Sequence, residues 1–365
     1  MKSEWKKCRL GSLMTFKNGK KRPETGAVFP VYGGNGVLGY ADKWNNENCV
    51  VIGRVGAYCG SVFREKKQCW ISDNAISGVS SNNNIDYLYY LLKSLQLNER
   101  HIGTSQPLLT QEILNNIQVT IPPNAVQKKI ASILLSFDDK IELNNKINEN
   151  LEQQAMAVFR SWFVDYMPYG GTAPKEWRNV ILDNITSLVT RGIAPKYSDD
   201  SDQTVINQKC IRNHMIDLSL ARKHTPKTIN EKWLQYGDLL INSTGTGTLG
   251  RTAQVWFEPK NLTVDSHVTI ARPAKENLIF YIGLWGISNE KEIESLHTGS
   301  TGQTELPRER VKAMELLLPD NETLDRFNAI IAPMAASIVL NQEENKRLAK
   351  LRDTLLPKLM NGEIE

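Results

Sequence analysis

The sequence predicts an α+β protein with an internal pseudo-twofold repeat: two similar α/β domains separated by two long helices that form an antiparallel coiled coil. Two observations support this fold class. First, Thr104-Ser105-Gln106 reappears 197 residues later as Thr301-Gly302-Gln303, and the match continues without a gap to Leu151 and Leu348. Second, apolar residues recur every seven positions in both helices. The expected order is a domain at 1–123, a helix at 124–167, a domain at 168–320 and a helix at 321–365.

The first domain shows strand and turn signals along most of its length. Residues 30–38 predict a hairpin with Asn35-Gly36 in its turn. The apolar runs 50–52 and 62–63 predict strands around the glycine-rich stretch 53–60, and residues 85–97 predict a helix packed on the sheet. In the second domain, residues 239–241 and 254–256 predict strands and residues 280–287 predict the matching helix. The glycine-rich bridge 168–171 predicts the boundary between the repeats.

The helices carry the clearest periodicity. Asn124 and Asn321 follow prolines and are placed to cap the first turns, and the first helix is expected to reach about Phe163 because the stretch lacks Pro and Gly. The residues expected to pair the helices are Ile130, Phe137, Ile141, Asn144 and Leu151 in the first and Met334, Ile338, Asn341, Leu348 and Leu355 in the second.

An asparagine interrupts each stripe at the same heptad position. If the helices pack antiparallel, Asn144 and Asn341 come opposite one another, and a buried pair would fix the register. The alternative is two asparagines facing solvent. Pro333 should kink or restart the second helix.

Composition excludes several classes of protein. Apolar residues make up 41% of the chain, which is typical of a globular protein, and the net charge of +4 permits nucleic-acid binding without demanding it. The five cysteines form no CxxC pattern, so reduced thiols are expected rather than a zinc site or disulfides. Residues 1–13 lack a signal-peptide pattern, and the apolar run 278–287 is too short to cross a bilayer. A cytoplasmic protein is expected.

One glycine motif suggests a nucleotide site. Residues 245–250 satisfy G-x-G-x-x-G after a predicted strand, but residues 251–256 look extended, and a dinucleotide site needs a helix there. The alternative is a tight loop whose polar members, Ser243, Thr244, Thr246 and Arg251, face DNA. An enzyme that binds a nucleotide here is therefore a minor hypothesis. No catalytic residue or metal site is predicted.

The run Tyr32-Gly33-Gly34-Asn35-Gly36, the Thr-x-Gln loop and the domain–helix–domain–helix order resemble the specificity (S) subunit of type I restriction–modification enzymes. The resemblance spans the whole chain. It implies that each domain is a target-recognition domain that reads one half of a split double-stranded DNA site. It also implies that the helices hold the domains apart and bind two methyltransferase (modification) subunits, which restriction subunits then join. S-adenosylmethionine would belong to the methyltransferase partner, and ATP and Mg²⁺ to the restriction partner.

DNA affinity needs cations near phosphates, whereas specificity needs polar side chains at base edges. By that logic the further DNA-binding candidates are Lys17, Lys20, Lys21, Arg22, Tyr32, Arg54 and Tyr58 in the first domain, and Arg191, Lys196, Tyr197, Ser300, Thr301, Gln303 and Thr304 in the second. Solvated surface is the alternative for each of them. Gln106 and Gln303 occupy equivalent places, which favours a structural role over base reading.

The helix ends carry more apolar residues than one coiled-coil seam needs. Phe159, Trp162, Phe163, Leu356 and Leu359 are therefore expected to dock partner helices. The rival interpretation makes the chain a coiled-coil adaptor that binds proteins and not DNA. Retention on duplex DNA that weakens with salt distinguishes the two.

Overall fold

The computed structural model describes residues 5–103, 106–225, 229–245, 247–299 and 304–364. The chain divides into two compact units. The first unit comprises Met1–Leu143 and Glu344–Glu365, and the second comprises Asn144–Glu343. Each unit therefore contains one α/β domain together with half of each long helix.

The first unit is built on a six-stranded sheet with the strand order β2-β7-β5-β6-β3-β4, beside which β1 pairs with β8. All pairings are antiparallel except that of β3 with β6. The strands are β1 (Lys6–Arg9), β2 (Thr15–Asn18), β3 (Phe29–Gly33), β4 (Gly36–Ala41), β5 (Asn46–Gly53), β6 (Val62–Ile71), β7 (Ala75–Val79) and β8 (Gln118–Ile121).

Strand β5 shows how the sequence produces two cores in the first unit. Successive side chains of a strand point to opposite faces. Val50 and Ile52 accordingly enter a large core, whereas Cys49 and Val51 enter a small one on the other face. Because both faces are covered, the run is continuously apolar. The helices that complete this unit are α1 (Ile85–Ser94), α2 (Gln111–Asn116) and the first part of α3 (Asn124–Phe163).

The large core of the first unit includes both long helices. Ile130 and Leu134 of α3 lie in the same cluster as Leu359 of the last helix, α8 (Asn321–Met360). Asp138 and Arg352 form an ion pair between these helical segments. Asn84 caps α1 by accepting a hydrogen bond from the Tyr87 amide at 2.8 Å.

The second unit has a four-stranded antiparallel sheet with the order β10-β18-β15-β16, a three-stranded sheet with the order β14-β11-β17, and two short strand pairs, β12-β13 and β9-β19. Its strands are β9 (Arg178–Ile181), β10 (Thr186–Arg191), β11 (Thr204–Ile206), β12 (Ile211–Arg212), β13 (Met215–Ile216), β14 (Arg222–Lys223), β15 (Leu239–Asn242), β16 (Thr252–Gln254), β17 (Leu262–Val264), β18 (Val268–Pro273) and β19 (Glu315–Leu318).

Strand β15 divides the second unit as β5 divides the first. Leu239 and Ile241 enter a large core shared with the helices, and Leu240 enters a core on the opposite face. The large core also contains Phe159 of α3 and Phe327 of α8, whose ring centroids lie 6.3 Å apart. The shorter helices of this unit are α4 (Leu182–Ile185), α5 (Ile279–Ser288), α6 (Glu290–Ser295) and α7 (Arg308–Lys312).

Equivalent backbone contacts occur in both units. Ile117 and Met314 are related by the shift of 197 residues, whereas Leu10 and Leu182 are 172 residues apart. In the first unit the Leu10 amide donates to the Ile117 carbonyl at 2.9 Å, beside the β1–β8 pair. In the second unit the Leu182 amide donates to the Met314 carbonyl, also at 2.9 Å, beside the β9–β19 pair. The local similarity in sequence therefore corresponds to similar strand pairing within each unit.

Helix α8 continues through Pro333, so the helix does not restart at this residue. Proline removes the amide that would bond to the carbonyl of Ala329. Both Ala329 and Pro333 are exposed, so water can hydrate that carbonyl instead. By length and composition, α8 meets the requirements of a bilayer-spanning helix. Its apolar residues Phe327, Ile331 and Ile338 are nevertheless buried against the second unit, as in a core helix.

The central asparagines pair differently from the prediction. Within the second unit, Asn341 donates to Asn148 at 2.8 Å, and Asn148 lies one helical turn beyond Asn144. Contacts at Asn148–Asn341 and Phe159–Phe327 show that the two helical segments run antiparallel in this unit, since one number rises as the other falls.

Candidate nucleic-acid interface

Several loops of the first unit meet at one edge of the six-stranded sheet. We call residues 19–22, 34, 53–58, 71–74 and 106–109 the first loop cluster. The Lys20 amide donates to the Ile71 carbonyl at 3.0 Å, the Arg54 amide donates to the Asn74 carbonyl at 2.9 Å, and the Leu109 amide donates to the Arg54 carbonyl at 2.9 Å. These backbone bonds fix segments that are distant in sequence next to each other.

A glycine is needed where these loops approach most closely. A Cβ atom at Gly53 would lie 2.2 Å from the carbonyl oxygen of Tyr58 and 2.9 Å from that of Gly34. Both are backbone atoms held by the surrounding loops, so a side chain has no space here. The glycine-rich composition of this stretch therefore reflects the close approach of three backbones.

The predicted cations of the first domain are mostly accessible. Lys17, Lys20, Lys21 and Arg22 are exposed. Arg22 donates from Nη2 to the Leu38 carbonyl at 3.1 Å, which holds it against β4. The structure thus brings Lys20 into the first loop cluster, whereas Lys17 lies on β2, opposite Ser77.

Arg54 and Tyr58 belong to the same cluster. Arg54 is half-buried and donates from Nη1 to the Asp73 carbonyl at 3.3 Å. Tyr58 is 51% exposed, although it lies in a tight turn. Its ring therefore offers an accessible aromatic face in the same loop as Arg54.

Tyr32 is not available as a reading residue. It is 8% exposed, and its hydroxyl donates to Glu65 Oε2 at 3.0 Å. Burial, followed by the nearby Glu65 carboxylate, raises the pKa of the Tyr32 hydroxyl well above its usual value. Tyr32 is thus a core residue of the sheet, and the prediction of a DNA contact there is wrong.

Exposed aromatic residues beside β4 escaped the sequence analysis. Tyr40 is 51% exposed and Trp44 is 46% exposed, and Val37 and Leu38 are also accessible. Exposed and buried side chains do not alternate along β4, so nothing in the sequence marks Tyr40 or Trp44 as exposed. Aromatic rings with one solvent-exposed face are suited to contacts that combine stacking and hydrogen bonding.

The second unit has a corresponding meeting of loops. We call residues 191–193, 208, 243–245, 265–267 and 304–306 the second loop cluster. The Leu306 amide donates to the Ser243 carbonyl at 2.8 Å, and the Ile193 amide donates to the Val264 carbonyl at 2.9 Å. Leu306 follows Leu109 by 197 residues, so the same backbone bond anchors the loop in each unit.

A polar network lies at the centre of the second loop cluster. The Thr244 hydroxyl lies 3.1 Å from Gln208 Oε1 and 2.8 Å from His267 Nδ1. The backbone amide of His267 donates to Asp265 Oδ1 at 2.9 Å, which fixes the backbone at this position. Gln208 and His267 were not among the predicted residues, because they lie 36 and 23 residues from Thr244 in unmarked segments.

Two predicted residues of the second domain have structural roles instead. Ser243 is fully buried, and its hydroxyl lies 2.6 Å from the Thr269 hydroxyl. Arg191 forms an ion pair with Glu305 and donates from Nη2 to the Leu306 carbonyl at 2.8 Å. Ser243 is therefore not available to a base, and the prediction for it is wrong. Arg191 is held by these contacts, and its contact with DNA stays a prediction.

The remaining candidates are scattered. Lys196 and Tyr197 are exposed on a neighbouring loop, where the Arg222 guanidinium lies 3.6 Å from the centre of the Tyr197 ring. Arg251 and Thr304 are half-buried. Thr246, Ser300, Thr301 and Gln303 lie outside the described residues.

Comparison with known proteins shows which family the chain resembles. Residues 2–153 match the model of the type I restriction modification DNA specificity domain. The chain is 28% identical over 310 residues to the type I restriction enzyme MjaIX specificity subunit of Methanocaldococcus jannaschii, covering 76% of this chain and 69% of that protein. It is 24% identical over 358 residues to the HindI specificity subunit of Haemophilus influenzae, covering 76% and 77%. The chain is thus similar to the specificity subunits of type I restriction–modification enzymes, and residues 2–153 match their DNA specificity domain.

The fold of this chain also matches a solved structure. The S subunit of a type I restriction–modification system from M. genitalium superimposes with a TM-score of 0.64 at 17% identity, covering 97% of this chain and 96% of that one. Specificity subunits are the non-catalytic components of their systems.

The glycine motif lies in a loop between strands β15 and β16. Gly245, Gly247 and Gly250 have φ angles of +102°, +72° and +83°, which are left-handed values that favour glycine. Strand β16 follows, whereas a dinucleotide site requires the start of a helix. The interpretation as a tight loop therefore holds, and the nucleotide-binding hypothesis loses its structural basis.

The residues predicted to dock partner helices mostly fill the chain's own cores. Phe159 and Phe163 pack in the large core of the second unit, and Leu359 in that of the first. Trp162 and Leu356 are half-buried at the edges of these cores. The expectation of docking at the helix ends is thus wrong for the buried three, because they are needed to anchor the helices to the domains.

Exposed apolar residues lie instead near the middle of each long helix. Leu143 of α3 is 52% exposed and Leu340 of α8 is 64% exposed, and the two are related by the repeat shift of 197. Ile147 and Leu351 are exposed as well.

Proposed function

We propose that this chain is a sequence-specific double-stranded DNA-binding subunit that reads a bipartite site. The first loop cluster, in the domain of residues 1–123, contacts one half of the site. The second loop cluster, in the domain of residues 168–320, contacts the other. The helices at 124–167 and 321–365 act as an antiparallel coiled-coil spacer with pseudo-twofold symmetry, which suits a two-part duplex site.

The observation that carries the proposal is the shared frame of the two loop clusters. Leu109 and Leu306, both fully buried, anchor equivalent loops by the same kind of backbone hydrogen bond. The side chains around them differ: the first cluster is cationic and aromatic, and the second is built on neutral polar groups. One frame with two sets of side chains is what reading two different half-sites requires.

Positioning on the duplex is assigned to the exposed cations. Lys20 and Lys21 are accessible at the first cluster, and Lys196 is accessible near the second. A lysine is a flexible point charge that suits phosphate contact without fixing the sequence that is read. Base contact is assigned to groups that are held in place, such as Arg54 and Tyr58 in the first cluster.

The helices also provide a surface for partner subunits. Leu143 and Leu340 are equivalent exposed leucines on two different helices. Two equivalent surfaces suit two copies of one partner, and the resemblance to specificity subunits favours the adenine methyltransferase subunit as that partner. Restriction subunits then join through the methyltransferase. S-adenosylmethionine belongs to the methyltransferase, and ATP with Mg²⁺ to the restriction subunit.

A domain exchange tests the bipartite reading. Residues 168–320 are replaced by the equivalent domain of a relative with a different target, and the modified sequence is mapped in the assembled complex. Only one half of the recognised sequence should change, with the other half and the spacing retained. A hybrid that changes both halves, or neither, contradicts modular reading. The adaptor alternative predicts no salt-sensitive retention of the wild-type chain on duplex DNA.

A further inference from the structure

We infer that the second loop cluster reads an adenine through two side chains, His267 and Gln208, that one hydroxyl group, that of Thr244, holds together. The inference rests on the proposed function, since it assigns a base to the half-site that the second unit contacts. It depends on the direction in which the shared hydrogen bonds run.

The hydroxyl of Thr244 has one proton to donate and serves two partners. Gln208 Oε1, at 3.1 Å, can only accept, so the hydroxyl proton points to it. The hydroxyl oxygen must then accept a hydrogen bond from His267 Nδ1, which lies 2.8 Å away. Nδ1 therefore carries the proton in the neutral imidazole, and Nε2 is left with a lone pair.

The two side chains that contact the Thr244 hydroxyl carry complementary groups. His267 Nε2 is a hydrogen-bond acceptor, and the Gln208 Nε2 amide group is a donor. The imidazole is exposed and the carboxamide is half-buried. Among the described residues, neither His267 Nε2 nor the Gln208 Nε2 group takes part in a hydrogen bond within the protein.

The surrounding backbone keeps both side chains in place. A Cβ atom at Gly245 would lie 2.9 Å from both polar atoms of the Gln208 carboxamide, so this amide packs directly on the glycine backbone. Asn242 Nδ2 donates to the Gln208 carbonyl at 3.1 Å. The Ser243 amide donates to the His267 carbonyl at 2.8 Å. Such support limits the entropy lost when a base is bound.

Only adenine offers the matching pair of groups in the major groove. Adenine presents the N6 amino donor beside the N7 acceptor, guanine presents two acceptors, cytosine one donor and thymine one acceptor. His267 Nε2 would accept from N6, and Gln208 Nε2 would donate to N7. Arg191, the cation in this cluster, is paired with Glu305.

The test maps adenine methylation by the assembled complex with wild-type and variant chains. Thr244→Val removes the shared hydroxyl while keeping its shape, and Gln208→Ala removes the donor directly. Both should relax the same single position in one half-site, from adenine to several bases, with discrimination there falling about tenfold to a hundredfold. Thr248→Val is the matched control, because its hydroxyl bonds to the carbonyls of Thr244 and Gly245 in the same loop and touches neither reading residue.

The outcomes separate this inference from the proposed function. An unchanged motif in the Gln208→Ala complex overturns the inference while leaving the bipartite reading intact, as does relaxation at a position occupied by another base. If the Thr244→Val chain does not assemble, Gln208→Ala alone decides. A wild-type complex that shows no split motif would overturn the proposed function and the inference together.

Discussion

Asn341 of α8 donates a hydrogen bond from Nδ2 to Oδ1 of Asn148 on α3, at 2.8 Å, and Asn148 is only 4% exposed. The sequence predicted Asn144 as the partner. Side chains of a helix point toward the N-terminus of that helix. In an antiparallel pair, each side chain therefore meets a residue about one turn away from the residue whose Cα atom lies directly opposite. The pair still supplies what was expected of it, a buried polar contact that favours one register.

The Asn148–Asn341 bond should contribute measurably to stability. Asn341→Leu leaves the buried Asn148 oxygen without this donor and should lower the free energy of unfolding by about 1–3 kcal/mol. The double variant Asn148→Leu/Asn341→Leu replaces both polar groups and should recover most of the loss. Denaturant unfolding of the single and double variants measures this coupling. Additive losses in the double variant would show that the asparagines do not act as a pair.

The mid-helix leucines should matter for assembly and not for folding. Leu143→Glu and Leu340→Glu place charge at positions that are 52% and 64% exposed, so each should change the free energy of unfolding by less than about 0.5 kcal/mol. Both should weaken binding of the methyltransferase subunit, because a charge would be buried at the interface. Size-exclusion chromatography of co-expressed subunits measures this. Lys346→Glu, a charge change on the polar part of α8, is the control, and full assembly of both leucine variants would refute the docking surface.

Stability should depend on pH through His214 and Glu290. The ring Nε2 of His214 lies 3.4 Å from Glu290 Oε2. The hydrogen bond to Glu290 raises the pKa of His214 above 6.5, although burial opposes the shift. Burial by itself would raise the pKa of Glu290, but the hydrogen bonds from His214 and Thr252 lower it below 4.5. Burial raises the pKa of Glu152, which also faces His214.

The direction of each pKa shift determines the pH range in which the His214–Glu290 pair stabilises the folded state. The His214 contribution is fully present below pH 6.5 and is lost as pH rises through the higher pKa of the folded state. The Glu290 contribution is present above pH 4.5 and is lost as pH falls through the lowered pKa. His214→Asn, which tolerates the φ of +60° at this position, should therefore destabilise the chain most near pH 5–6. A difference in unfolding midpoint that stays constant from pH 5 to pH 9 would rule out the ion pair.

Lysines of the first loop cluster should act on all DNA sequences alike. Lys20→Ala and Lys21→Ala should each weaken duplex binding and reduce the slope of log affinity against log salt by about one. Lys66→Ala is the matched control, because the Lys66 ammonium is 3.4 Å from Asp139 and lies outside the cluster. Fluorescence anisotropy at several salt concentrations gives the slopes, and an unchanged slope for the cluster variants would count against phosphate contact.

Much of the fold followed from local patterns. The hairpin, the packed helices and the two long helices were predicted because the patterns that indicate them involve residues close in sequence. These patterns are alternation, heptads and helix caps. Boundaries were less accurate: β6 extends to Ile71 and α1 ends at Ser94, since tertiary contacts decide where elements stop. The continuity of α8 at Pro333 depended on exposure, which the sequence does not show.

The candidate site was harder to predict than the fold. Tyr32 and Ser243 looked like reading residues by type, but the packing of distant strands buries them. Gln208 and His267 were missed because their relation to Thr244 exists only in three dimensions. Phe159 and Phe163 looked like surplus apolar surface because α5, which covers them through Tyr281, lies more than a hundred residues away.

The central claim is that this chain gives a methyltransferase its target sequence. We would co-express it with its neighbouring methyltransferase, purify the complex and map methylated adenines on random DNA. The account predicts a stable complex and methylation confined to one split motif, which is lost when this chain is omitted. Failure to form a complex, or methylation that persists unchanged without this chain, would contradict it.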